Sequence, residues 1–138
     1  KAVLAATAFP TTYKGMVITD NIRTYGLCPH HLLPVVYDTR IGIIYSEKCL
    51  GLSKIARFVK LLSRRPVLQE QLTDDIKNYL NKYLKPNGII AIVKGHHFCM
   101  HMRGVEQYST DVTTSVVDGL FLHSDTTRKE FFSIVEKK

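Results

Sequence analysis

Residues 95–104 read GHHFCMHMRG, and an apolar run at 89–93 leads into them with only Lys94 between. Side chains in a strand point to opposite faces with period two. Extended, the stretch places His97, Cys99, His101 and Arg103 on one face and Phe98, Met100 and Met102 on the other. One face is then ordinary sheet, while its reverse carries a thiol, two imidazoles and a guanidinium. A half-exposed strand that happens to hold a cysteine would look the same, and short clusters of this kind often arise by chance. A second cluster far upstream, Cys28-Pro29-His30-His31, argues against chance.

Outward from that stretch, the pattern predicts an ordered set of elements. Residues 16–24 and 39–45 alternate as strands, with a proline-bounded turn at 26–34 holding CPHH. Leu52, Ile55, Ala56, Val59 and Leu62 make one apolar helical stripe, with Lys54, Arg57, Lys60 and Arg64 off it. Pro66 ends that helix and can open a second, carried by Leu68, Leu72, Ile76, Leu80 and Leu84 until Lys85-Pro86-Asn87-Gly88. After the strand at 89–104 come another at 113–121 and a closing helix, for which Thr127 and Glu130 form a capping box. Helices grouped between antiparallel strand pairs predict an α+β sheet with helices packed on one face.

The chain has 138 residues, which suits one domain: a connector at 1–15 and a core at 16–138. The opening KAVLAATAF reads as a trimmed beginning rather than a leader. No apolar run approaches the roughly 18–20 residues needed to span a bilayer. A net charge of +7 calls for an anionic partner, whether nucleic acid, a membrane surface or a polyphosphate. Three cysteines, Cys28, Cys49 and Cys99, make no disulfide framework and fit a reducing, cytoplasmic setting. Cys49 reads as a plain core or turn residue.

Zinc takes thiolate and imidazole ligands tetrahedrally, and catalytic zinc keeps one position open. Cys28 and His31 lie three residues apart in a turn, and Cys99 supplies a third ligand, so two thiols and one imidazole leave a fourth position. His30 and His97 stand beside these ligands as acid–base candidates near neutral pH. His96, His101 and His123 read as structural or surface histidines. Residues 51–54, GLSK, open the basic helix; its amides, the Ser53 hydroxyl, Lys54 and Arg57 could seat an anion, though a solvated helix face has the same composition. Gln69 and Glu70 fall in the first turn of the second helix. The helix dipole favours a carboxylate there, and such a carboxylate can also accept two N–H bonds from a guanine edge.

The ordered set CPHHLLP, GLSKIAR, RPVLQEQLT, GHHFCMHMRGV, TTS and DGLF resembles the GTP cyclohydrolase I family from about residue 16 to the last helix. The resemblance implies the tunnelling fold, assembled into pentameric barrels that stack as a decamer, with active sites between subunits. It implies zinc on Cys28, His31 and Cys99, and His30 and His97 as the proton-transfer histidines. Ser53, Lys54, Arg57 and Arg103 would hold ribose and triphosphate, with Ser53 also near the chemistry. Gln69 and Glu70 would hold the guanine. The implied reaction opens the imidazole ring of GTP by hydrolysis, releases formate and forms 7,8-dihydroneopterin triphosphate.

Two features depart from the family pattern. Pro29 stands where the family has Glu, and the family's N-terminal helices are absent, which reads as either a naturally short form or a trimmed chain. Pro29 motivates one alternative, a same-fold enzyme that opens a purine ring without cyclisation or takes another nucleotide. A zinc-stabilised basic nucleic-acid module is the other alternative. It explains the charge but lacks the interleaved aromatics of single-strand binders.

Overall fold

A computed structural model of the chain describes residues 8–29, 31–101 and 110–136. The expectations placed on His30, Met102 and Arg103 fall outside these residues, as does the side-chain facing of Leu52, Met100 and His101.

Strands β2 (Met16–Leu27), β3 (Pro34–Ile44), β5 (Gly88–His97) and β6 (Val112–Gly119) form an antiparallel sheet in the order β2-β3-β5-β6. β2 runs three residues further toward the CPHH turn than its alternation predicts and β3 begins five residues earlier, leaving 28–33 as the connection. The turn closes where the Cys28 N–H donates to the Leu33 carbonyl at 3.0 Å and the Leu32 N–H donates to Cys28 at 2.7 Å. A two-residue strand, β1 (Phe9–Pro10), pairs with β4 (Lys48–Cys49), so part of the expected connector is built into the fold.

A bulge in β2 between Thr19 and Ile22 sets which face of that strand is buried. Asn21 turns to φ +56° there, and the Asp20 carboxylate accepts its N–H at 2.8 Å. A one-residue insertion reverses the facing of everything beyond it. Ile22 and Thr24 therefore point into the core instead of away from it.

Helices α1 (Leu52–Ser63) and α2 (Gln69–Leu84) cover one face of the sheet, as the element order predicts. Beneath them Tyr37, Thr39, Ile41 and Ile43 of β3 are buried with Ile89, Ala91 and Val93 of β5. α1 turns slightly from its predicted stripe: Phe58 is buried and Ala56 exposed, because the 55–58–59 edge carries the larger side chains. α2 buries Leu72, Ile76, Leu80 and Leu84, each contributing on the order of 1.5–3 kcal/mol. Leu68 is outside it as the N-terminal cap residue and is exposed. Lys85 ends the helix in the left-handed conformation at φ 46°, three residues before the glycine.

The closing helices take the opposite face. A short turn, α4 (Leu120–His123), follows β6, and α5 (Asp125–Glu136) packs Phe131 and Val135 with Phe121 over Ile44 and Ile90. A Cβ on Gly42 would lie 2.8 Å from Phe131, so only glycine lets that ring approach the sheet. The cap differs from the expected box: the Ser124 hydroxyl accepts the Thr127 N–H at 3.3 Å and the Thr127 hydroxyl at 3.0 Å. Residue 124 precedes the first helical residue, whereas Thr127 already lies inside the helix.

The opening stretch also differs from its reading. Extended structure stops at His97, and Phe98–His101 form a single helical turn, α3. Strict alternation therefore does not carry Cys99 to its place.

Candidate metal centre and cleft

The Cys28–His31 turn and α3 converge at one end of the sheet. Val35, the second residue of β3, pairs with His97, the last of β5, so the turn before β3 and the turn after β5 become neighbours. Cys28 Sγ lies 3.9 Å from His31 Nδ1, and with Cys99 the three ligand atoms are all within 4.8 Å of one another. Zinc bonds of about 2.3 Å to sulfur and 2.0–2.1 Å to nitrogen separate tetrahedral ligands by roughly 3.5 Å. The donor set and its spacing fit zinc after small side-chain adjustments. Cys28 is buried, Cys99 half-buried and His31 exposed, so the group opens to solvent on one side.

A cleft of about 200 Å³ lies against this group. Cys28, Pro29, Cys99 and His97 form one wall, and Val67, Leu68 and Val112 supply an apolar lining. Glu70, exposed in the first turn of α2, brings a carboxylate to the rim. The His97 ring rests edge-on against Tyr37, with centroids 6.2 Å apart. Burial pushes the Tyr37 phenol up to about 12, and nearby Cys28 and Glu70 add to the shift, so this support stays neutral.

The Gln69 side chain is bonded within the protein. It is only 3 % exposed; its amide nitrogen donates to the carbonyls of Val93 (3.0 Å) and Val112 (2.8 Å) and lies 3.2 Å from the Thr114 hydroxyl. Its oxygen lies 2.7 Å from His97 Nε2. Periodicity gave no sign of this, since a first-turn polar residue is usually solvated. Gly95 was the available signal: glycine inside a strand often marks a close approach. A Cβ there would collide with the Gln69 oxygen and lie 2.8 Å from His97 Nε2.

None of Ser53, Lys54 and Arg57 lines this cleft. Ser63, at the end of α1, sits against Gly26 beside the CPHH turn, and Ser53 is ten residues earlier, about 15 Å along the axis. Arg57 instead joins Lys60 along the bulged part of β2, lining a separate groove with Thr19 and Ile22.

With this geometry in hand, comparison with known proteins is decisive. The family model for GTP cyclohydrolase I matches residues 1–136. The chain belongs to the GTP cyclohydrolase I family. The GTP cyclohydrolase 1 of Campylobacter concisus (strain 13826) is 40% identical over 135 residues, covering 98% of this chain and 71% of the relative. That of Methylococcus capsulatus is 40% identical over 136 residues, covering 99% and 74%. Among solved structures, an archaeosine synthase QueF-Like in the apo form superposes with a TM-score of 0.64 at 16% identity, covering 79% of this chain and 97% of that one. An E. coli dihydroneopterin aldolase in complex with neopterin gives 0.57 at 11%, covering 76% and 99%. These two likenesses show the fold, the tunnelling fold expected from the family's motifs. No helix among the described residues is long and apolar enough to cross a membrane.

Proposed function

We propose that this family member hydrolyses the imidazole ring of GTP, releasing formate and forming 7,8-dihydroneopterin triphosphate. The observation that carries the reading is the Cys28–His31–Cys99 group beside a cleft that also holds His97 and Glu70. Relatives that match nearly the whole of this chain are GTP cyclohydrolases 1. Cys28, His31 and Cys99 would hold zinc, which supplies Lewis acidity and a water acidic enough to ionise near neutral pH.

The chain's own residues divide the remaining tasks. His97 lies in the cleft wall, where its ring takes a proton from the attacking water and passes it to the purine ring nitrogen as the C8–N9 bond opens. Glu70, at the rim, accepts N–H bonds from the guanine edge, while Val67, Leu68 and Val112 shield the base from water. His30 is assigned the proton transfers near the ribose, and Arg103 a share of the triphosphate, by their places in the family motifs. Gln69 leaves the guanine-binding set, because its amide is committed within the protein.

Ser53, Lys54 and Arg57 require a second copy of the chain. They lie too far along α1 to serve the cleft of their own chain. Among the described residues both β2 and β6 are edge strands, β2 twelve residues long and β6 eight, and an unpaired edge is a template for another chain. We infer a ring of subunits in which α1 of one copy brings its cations to the cleft of the next. A pentamer, or a decamer of two pentamers, is the assembly implied.

Incubating zinc-loaded protein with GTP and assaying formate and, after oxidation, a fluorescent pterin tests this function. Both products are expected in equal amounts. Formate without pterin would favour ring opening without cyclisation, the outcome Pro29 in the cleft wall motivates. Neither product, from protein holding stoichiometric zinc, would overturn the reading.

A further inference from the structure

The amide of Gln69 can point only one way. Its two N–H donors face the carbonyl oxygens of Val93 and Val112, which can only accept. A flipped amide would set its own oxygen against both carbonyls, an unfavourable contact between buried acceptors. The amide oxygen must therefore face His97, and that oxygen too can only accept. At 2.7 Å, His97 Nε2 has to carry the proton between them.

The orientation is locked from behind by a closed ring of bonds. The Gln69 amide nitrogen also lies 3.2 Å from the Thr114 hydroxyl. Thr114 and Thr73 share a bond of 2.7 Å, and the Thr73 hydroxyl donates to the Gln69 backbone carbonyl at 2.9 Å. The Thr114 hydroxyl also lies 3.5 Å from the Val93 carbonyl, so both threonines are tied into the network that holds the Gln69 amide. The bare backbone of Gly95 leaves the space in which the Gln69 oxygen meets the imidazole.

We propose that Gln69 is a positioning residue, which holds the His97 imidazole in a single orientation and in its Nε2–H tautomer, and does not itself contact the purine. The proposal rests on the role assigned to His97 above. It differs from the family-based placement of Gln69 on the guanine, and it recruits Thr73, Thr114 and Gly95 to the same task. A ring freed from this bond turns about its side-chain torsions, and misplacement by about 1 Å can cost about 100-fold in rate.

Two measurements on the zinc-loaded protein test it. Nitrogen-15 spectra of histidine-labelled protein, with the His97 signals assigned by their loss in His97→Ala, should show protonated Nε2 in the neutral ring. Protonated Nδ1 in the unmodified protein would overturn the proposal without reference to activity. In steady-state kinetics with GTP, Gln69→Leu should lower kcat about 10- to 100-fold with KM changed less than threefold and zinc content unchanged. Gly95→Ala, which drives a methyl group into the same bond, should do likewise. A raised KM at unchanged kcat in Gln69→Leu would mean direct purine contact, and unchanged kinetics would mean a packing role; either result overturns the proposal. If Gln69→Leu fails to fold, the spectra of the unmodified protein decide. Should His97→Ala itself keep full rate, the role of His97 fails first, and the spectra still judge the tautomer separately.

Discussion

The β3–β5 ladder is built differently at its two ends. Around Gly42, Ile44 and Ile90 both faces of the sheet are covered, by α2 on one side and by Phe121, Phe131 and Val135 on the other. Around Val35 and His97 one face opens into the metal-group cleft. The reverse face there carries exposed ion pairs, Arg23 with Asp38 at 3.0 Å and Lys94 with Asp111 at 3.6 Å. Exposed pairs of this kind contribute little, about 0–1 kcal/mol each. The comparison teaches a division of labour. The apolar end supplies most of the stability, and the other end, held by turns and hydrogen bonds, is free to carry polar and reactive groups.

The strongest way to break that division is at the cleft. Cys99→Ser should abolish both stoichiometric zinc, measured by elemental analysis, and turnover, because the site loses one of three ligands. Full zinc retention in this variant would remove Cys99 from the site.

A matched pair then separates chemistry from stability. His97→Ala should lose about 10²–10⁴-fold in kcat with zinc retained and little change in unfolding. Phe131→Ala, fully buried at the other end, should cost about 3–5 kcal/mol in denaturant unfolding. Activity per folded molecule should survive in that variant, and a comparable loss of kcat would show that the two ends are not independent.

Arg57 sharpens the comparison across copies. Arg57→Ala should weaken GTP by roughly 1.5–3 kcal/mol, one to two orders of magnitude, while leaving guanosine binding unchanged. Mixing Arg57→Ala chains with His97→Ala chains should restore part of the activity, since some clefts would then receive both intact residues. Equal weakening of GTP and guanosine in calorimetric titration would argue against a phosphate contact.

How much of this was legible depended on whether a residue's task was local. The CPHH turn could be read directly because Cys28 and His31 share one short connection, and the two-helix insertion followed from apolar spacing. Cys99 was found for a reason that proved incomplete: alternation put it beside His97, but a helical turn at 98–101 delivers it. Four residues without a cap carry too weak a local preference to announce such a turn. The hydrogen bonds of Gln69 were not legible because its partners come from β5 and β6, some 24 and 43 residues away in sequence. The β2 bulge hid in the same way, since Asp20 and Asn21 look like any polar pair in a strand.

The smallest expected effect comes from two buried tyrosines that stand at opposite ends of β3, Tyr37 under His97 and Tyr45 just beyond Ile44. Burial raises both phenols, Tyr37 from an ordinary 10.0 to about 12. A phenol that resists ionising when folded loses ground to the unfolded chain once the medium passes its ordinary value. The Tyr37 contribution is thus whole below pH 10 and is lost as pH rises toward 12, to a total on the order of 2 kcal/mol. Tyr37→Phe should unfold like the parent at neutral pH apart from a constant offset, then lose less stability between pH 9 and about pH 11 as read from denaturant midpoints. Tyr45 keeps its own share of the alkaline loss, so the curve flattens without becoming level. Parallel curves for the two proteins across that range would show that Tyr37 ionises as easily folded as unfolded, and that the cleft end admits water beneath His97.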